Sequence, residues 1–274
     1  MMSVDATRLS RTALLISDKT ILKTEPPARS VWRRIIRCFL GGSLPFQNEI
    51  LHYQANPDLF PNIQTIPEAK LILIAYRAPI GPTTPEDLTE DMIRALWDDI
   101  GAMRGHCSFG PVKHTAFRLI NGPVPRALRD LFKSRAISPR RKLHLAFRLL
   151  ALQVRQTRIG GTGRVVHNDL MLHNILKYDR EFLPIDFEDV LVERKWIYAD
   201  ITDLIFQSEN WTYDSALNQL RKISGKEKPP ASDAVLKAHL KFGFLRYHIR
   251  ATIMARLTAE QRSRAAAQLD RDFS

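Results

Sequence analysis

The chain has 274 residues, 45% of them apolar and 26% charged, and carries a formal net charge of +12. That length and apolar content supply a core for one large domain or two lobes, and exclude a disordered or fibrous chain. The excess of Lys and Arg predicts attraction to polyanions (nucleic acid, anionic lipid or a phosphorylated substrate) without choosing among them. Cys38 and Cys107 lie in unrelated contexts, which gives no disulfide framework and fits a reducing, cytoplasmic setting. The longest apolar run, "LILIAY", is strand-sized, so no membrane span is expected. Polar residues interrupt the N-terminal stretch, so no cleaved signal is expected there.

In chain order, "TALLIS" and "TILKT" read as two short strands around a turn at Asp18 and Lys19. Ser30 can cap a basic amphipathic helix over 31–40, with Arg33, Arg34 and Arg37 opposite an apolar face. Gly41 and Gly42 would end it. A second helix begins near Pro45 in "LPFQNEILHYQ", and "KLILIAYR" reads as a strand covered on both faces. The Gly/Pro-rich stretch at 78–85 is the expected hinge. Beyond it, Thr84 and Pro85 open a helix running to about Arg104. Ser138 and Pro139 open another, whose Leu143, Phe147, Leu150 and Val154 repeat at helical spacing as the expected core face. "GGTG" at 160–163 is a helix stop; it lacks the following Lys and helix of a phosphate loop. Short strands surround "HNDLMLHNIL", and the remainder is helical, with Thr258 and Gln261 placed for a capping box.

The chemistry concentrates at residues 167–189. His167, Asp169 and Asn174 fall within one ten-residue stretch, and Asp186 follows in "LPIDFED". Phosphoryl transfer from ATP needs a carboxylate for the acceptor hydroxyl, and a carboxamide and a second carboxylate for Mg²⁺. The intervening "ILKYDREFLPI" has hairpin length, which would bring Asn174 and Asp186 together. On the helix after Pro45, Glu49 shares the stripe of Phe46, Ile50 and Tyr53, so it should be partly buried and need a cation. His106, Cys107 and His114 fit no standard zinc spacing.

"HNDL", "NIL" and "IDFED" resemble the catalytic and metal-binding loops of the protein-kinase-like superfamily. They are more similar to its aminoglycoside phosphotransferase, choline kinase and lipopolysaccharide-core kinase branches than to the eukaryotic protein kinases. The resemblance implies an α+β, two-lobed fold, with a strand-containing nucleotide-binding lobe at 1–80 and a mainly helical catalytic lobe at 81–274. It implies ATP and Mg²⁺, with Asp169 as the catalytic carboxylate and His167 supporting its loop. Asn174 and Asp186 would be the metal ligands, and Lys23, held by Glu49, would bind the phosphates. Lys19 is the alternative lysine. Asp200, with Asp203 as alternative, matches the aspartate that braces the catalytic loop, though an ordinary helix cap accounts for it equally. Glu188 stands where protein kinases have glycine, and is placed to help at the metal. Neither His173 nor Asn168 has an assigned role. One departure is that no glycine precedes Gly41, so the glycine-rich phosphate loop is replaced by a shorter hairpin or nucleotide binding is weakened.

The expected activity is therefore ATP-dependent phosphorylation of a hydroxyl, with a lipopolysaccharide core sugar or similar glycolipid as first acceptor. The basic segment at 31–40 would then contact an anionic membrane, placing the protein in the cytoplasm and peripherally on the inner membrane. An amino alcohol or aminoglycoside is the second acceptor class. A pseudokinase that binds a partner without turnover is the alternative of another class. Nucleic acid binding rests on charge alone, with no reading motif.

Overall fold

The structure is a computed structural model that describes residues 7–8, 13–17, 20–25, 44–75, 81–105, 122–156, 163–178, 181–208, 211–227, 230–255 and 257–269. The turn at Asp18 and Lys19, the basic segment at 31–40 with Cys38 and the two following glycines, and the group His106, Cys107 and His114 lie outside them. Of the expected hinge at 78–85, residues 78–80 lie outside them, and the expected lobe boundary at 80/81 is described on one side only.

Strands β1 (Thr7–Arg8), β2 (Ala13–Ser17) and β3 (Thr20–Thr24) precede helix α1 (Leu44–Ala55), then β4 (Ile63–Ile66) and β5 (Leu71–Ala75). These five strands form one antiparallel sheet in the order β1-β2-β3-β5-β4. The β2–β3 hairpin occupies the expected residues; β1 and β4 were not recognised in the sequence. Strand β5 is not covered on both faces as its apolar run suggested. Only Ile72 is fully buried, and Leu71, Leu73 and Ile74 are half-buried, although β5 is paired on both edges, with β3 and β4. Lys23 on β3 pairs with Ile72 of β5 and with Ala13 of β2, so it occupies the middle of the sheet.

The second part is mainly helical: β6 (Gly81–Pro82), α2 (Glu90–Ala102), α3 (Pro123–Lys133), α4 (Pro139–Arg155), β7 (Arg164–Val166), β8 (Ile175–Lys177), β9 (Phe182–Pro184) and β10 (Leu191–Glu193) lead to α5 (Ala199–Ile205), α6 (Tyr213–Ser224), α7 (Asp233–Ala251) and α8 (Ala259–Gln268). Thr84 opens only a 3₁₀ turn over Pro85–Asp87, and α2 starts five residues later, with Thr89 accepting from the Met92 amide at 3.2 Å. Two threonines with first-turn acids compete here, and the turn at Leu88 separates them. The Thr258–Gln261 box forms as expected, with reciprocal bonds of 2.9 and 3.1 Å.

Helix α4 is rotated relative to expectation. It carries two apolar stripes, and the buried one contains Leu145 and Leu149, packed with Trp196, Phe242, Leu245 and Ile249. Leu143, Phe147, Leu150 and Val154 face solvent. Polar anchors fix this rotation: Arg141 donates to the Ala266 carbonyl, Lys142 to the Phe132 carbonyl at 3.0 Å, and Gln153 accepts from the Trp196 indole.

Helix α7 approaches α5 closely at Gly243, where an added Cβ would lie 2.3 Å from Thr202. One and two turns further on, Arg246 and Arg250 leave α7 on the side that meets the 167–169 loop. Among the described residues no helix is long and apolar enough to cross a membrane.

Candidate active site

The loop from His167 to Asn174 leaves β7 and is braced from below. Both carboxylate oxygens of Asp200 accept backbone amides, from His167 at 2.6 Å and Asn168 at 2.8 Å. Asp200 is the second residue of α5, whose cap is Tyr198, so its geometry is that of a loop brace and not of a helix cap. Asp203 instead lies against Arg246 at 3.2 Å. His167 is fully buried, and its Nε2 lies 2.8 Å from the Ile185 carbonyl, tying the loop to the strand end before Asp186.

Asn168 and Asp186 both adopt left-handed backbone, with φ of 63° and 67°. Asn and Asp are the residues other than Gly that tolerate this region best. The turn at Asn168 aims its carbonyl at Arg126 (3.1 Å) and Arg246 (2.5 Å), which gives a role to a residue the sequence left without one. Asn174 donates from Nδ2 to the Asp169 carbonyl at 2.8 Å, closing the loop. Strands β8 and β9 form the expected hairpin, and its neck is closed by the Ile185 amide donating to the Asn174 carbonyl at 2.9 Å. Asn174 thus stands beside the residue preceding Asp186.

Helix α1 is held against the segment following Asp186. Asn48 donates to the carbonyls of Val190 (2.7 Å) and Glu188 (3.2 Å). Below them Phe187 stacks on His52 at 4.4 Å and meets Tyr53 and Phe60 edge-on. This packing fixes Glu49, which is buried, as the sequence stripe required. The Lys23 ammonium lies 2.5 Å from Glu49 Oε2, 2.7 Å from Asp186 Oδ1 and 3.2 Å from Glu188 Oε1. Tyr53 donates to the other Glu49 oxygen at 3.2 Å. Burial disfavours the Lys23 charge, but Glu49, Asp186 and Glu188 outweigh it and raise its pKa above the usual value. Burial also pushes the Glu49 carboxyl up to about 7, against the pull of Lys23.

A second cluster surrounds Asp169. Arg126 of α3 donates to Asp169 Oδ2 at 2.9 Å and also bonds Asp189, while Arg250 of α7 contacts Asp169 Oδ1. Burial would raise the Asp169 carboxyl. Arg126, then Arg250 and His167, reverse this and hold it well below the ordinary carboxylate range. Arg126 itself titrates above its usual value: burial opposes its charge, and Asp189 and Asp169 more than compensate.

The structure therefore brings Lys23, Glu49 and Asp186 into contact, and joins His167, Asp169 and Asn174 in the adjoining loop. Exposed His173 lines a cavity of about 320 Å³ with Thr83, Met171, Leu172, Gln207 and Tyr247. Sequence reasoning missed Arg126, Arg246, Arg250 and Asn48. Only the "FED" triplet signalled that Asp189 lay near the site. For metal chemistry, oxygens of Glu49, Asp186 and Glu188 lie within 4.8 Å of one another. An all-oxygen donor set, with Asn174 adjacent, suits a hard cation such as Mg²⁺.

No protein-family model matches the chain, and no characterised protein sequence does. Solved structures do match. The chain is similar to the choline kinase LicA from Streptococcus pneumoniae, at 13% identity and a TM-score of 0.59, covering 96% of this chain and 91% of that one. It is similar to a choline/ethanolamine kinase family protein from Mesorhizobium loti at 12% identity, with 97% and 88% covered and a TM-score of 0.58. A thermostable mutant of the aminoglycoside phosphotransferase APH(4)-Ia, in its apo form, matches at 14% identity, 97% and 92% coverage and a TM-score of 0.51. At these identities the likeness is one of fold: the chain has the two-lobed α+β fold of these kinase structures.

Proposed function

We propose that the protein is a kinase that moves the γ-phosphate of ATP to an alcohol group. One observation carries this reading. Lys23 and Asp186, 163 positions apart in sequence, meet at 2.7 Å with Glu49 on the same ammonium, beside the loop bearing Asp169 and Asn174. In this reading Lys23 neutralises phosphate oxygens and Glu49 keeps it aimed. Asn174 and Asp186 would hold Mg²⁺, which supplies positive charge to the phosphates when bound. Asp169 orients the acceptor hydroxyl and takes its proton as the acceptor oxygen bonds to the γ-phosphorus and the bond to ADP breaks. His167, through its bond to the Ile185 carbonyl, keeps the loop in register with Asp186. Lobes at 1–80 and 81–274 would supply the nucleotide-binding and catalytic halves.

For the acceptor, the reading is a lipopolysaccharide core sugar or a similar glycolipid, met in the cytoplasm at the inner membrane. Its support is electrostatic: Arg126 and Arg250 flank Asp169, and the chain carries +12 overall. A cationic acceptor would approach Asp169 past two guanidinium groups. An amino alcohol or aminoglycoside is the second reading, favoured by the fold neighbours, whose names specify choline, ethanolamine and aminoglycosides.

The test is a γ-phosphate transfer screen over glycolipid, sugar and amino-alcohol acceptors, with and without Mg²⁺. The expected result is Mg²⁺-dependent transfer that Asp169→Asn lowers by about 10²–10⁴-fold. Nucleotide binding without transfer to any acceptor and without ATP hydrolysis would overturn this reading in favour of a pseudokinase.

A further inference from the structure

The outer face of α4 has no part in the chemistry above, yet it is unusual. Leu143, Phe147, Leu150 and Val154 are 58%, 71%, 45% and 83% exposed, and they fall in one line at i, i+4, i+7 and i+11. Phe132, at the end of α3, is 56% exposed, and its carbonyl accepts from Lys142 on α4, which places it alongside. Isolated exposed apolar residues are ordinary on a protein surface, but an aligned band is not.

The charge along this part of the chain is of one sign. No Asp or Glu occurs between Asp130 and Asp169, whereas the segment leading into and through α4 contains Lys133, Arg135, Arg140, Arg141, Lys142, Arg148 and Arg155. Exposed Arg140 and Arg155 stand at the two ends of the apolar line, and exposed Lys133 and Arg135 follow Phe132. We infer that this face of α4 with Phe132 docks on the surface of an anionic phospholipid bilayer. The apolar line enters the acyl boundary and the arginines meet lipid phosphates.

Two features select a bilayer over a second copy or a globular partner. The line spans about 16 Å along the helix and is one side chain wide. With Phe132 beside it, its accessible area stays below the roughly 800 Å² per partner that a stable protein interface buries. A two-fold contact would also set this positive face against its own copy. A bilayer needs only a few inserted side chains together with the charge.

The inference goes beyond phosphotransfer and does not depend on it, because its test needs no nucleotide. The full chain is sedimented with phosphatidylcholine vesicles, with and without about 30% phosphatidylglycerol, at low and at about 0.5 M salt. Binding is expected only to the anionic vesicles, weakened at high salt. Leu143→Ser/Phe147→Ser should weaken it tenfold or more with an unchanged unfolding midpoint. Arg140→Glu/Arg155→Glu, which alters only exposed side chains, should weaken it and flatten the salt dependence. Equal binding to both vesicle types, or undiminished binding by both variants, overturns the inference. So does sedimentation of the wild type as a dimer that Leu143→Ser/Phe147→Ser converts to monomer.

Discussion

Replacing Lys23 and Glu49 one at a time should have very unequal effects, and the inequality should depend on pH. In the folded chain Glu49 is 1% exposed and lies beside Asp186 and Glu188, with Lys23 as the cation that compensates it. Lys23→Met removes that cation and leaves three carboxylates together. Breaking a buried pair from one side costs about 3–5 kcal/mol. Glu49→Gln instead removes a carboxyl whose burial already outweighs the pull of Lys23, and Lys23 keeps Asp186 at 2.7 Å and Glu188 at 3.2 Å. Its effect should stay within about 1.5 kcal/mol in either direction. The pH dependence follows from the titration of Glu49, near 7 in the folded wild type and 4.5 as an ordinary carboxyl. Without Lys23 it titrates higher still. A carboxyl with a raised folded value keeps its proton in the folded state and loses it in the unfolded one, so stability falls as pH rises. The extra deficit of Lys23→Met should therefore open between about pH 7 and the new value, at about 1.4 kcal/mol per pH unit. Urea unfolding followed by tryptophan fluorescence at pH 6, 7.5 and 9 measures this, and Lys23→Met/Glu49→Gln should recover part of the loss. Equal destabilisation by the two single variants, or a Lys23→Met deficit independent of pH, would refute the reasoning.

Removing the Asp200 carboxylate with Asp200→Ala leaves the buried amides of His167 and Asn168 without acceptors, which predicts a loss of about 2–6 kcal/mol by urea unfolding. Arg126→Met should raise the Asp169 carboxyl, moving the acid limb of the kcat/KM profile to higher pH by about 1–2 units. Burial lowers His239 to about 3, so the unfolded chain takes up a proton that the folded chain refuses, and stability is lost as pH falls from 6.5 towards that value. The loss should reach about 4–5 kcal/mol, and His239→Phe, which keeps an aromatic ring between Trp196 and Tyr198, should remove most of it.

The loop at 167–174 was legible in the sequence because its chemistry is dense and local. Five polar side chains in eight residues, followed by a hairpin-length spacer, are more than a surface turn between two strands requires. Glu49 was legible for a different reason: a carboxylate on an apolar stripe needs a cation, and the family resemblance pointed to Lys23 as that cation. The arginines were not legible. Arg126 reaches Asp169 across 43 positions and Asp189 across 63, and Arg246 reaches the Asn168 carbonyl across 78, so no spacing announces them. Helix α4 failed for a physical reason. Its stripes at 143/147/150/154 and at 145/149 have the same helical period, and periodicity cannot say which one meets the core. Tertiary bonds from Arg141, Lys142 and Gln153 made that choice.

The turn over Phe187–Asp189 joins the two charge clusters of the site. Asp186 and Glu188 point to Lys23 on the sheet side, whereas Asp189 points to Arg126, which also holds Asp169 and the Asn168 carbonyl. Adjacent carboxylates thus serve opposite sides of the site, and the left-handed backbone at Asp186 starts the turn that separates them. Phe187 anchors that turn from beneath by packing on His52 of α1 and His167 of the loop. Its ring thus contacts both α1, which carries Glu49, and the loop that carries Asp169. Side chains that share one rigid turn do not act independently. A change that rotates the turn must disturb the Lys23 contacts and the Arg126 contacts together, whereas loss of Glu188 alone leaves Arg126, Asp189 and Asp169 in place.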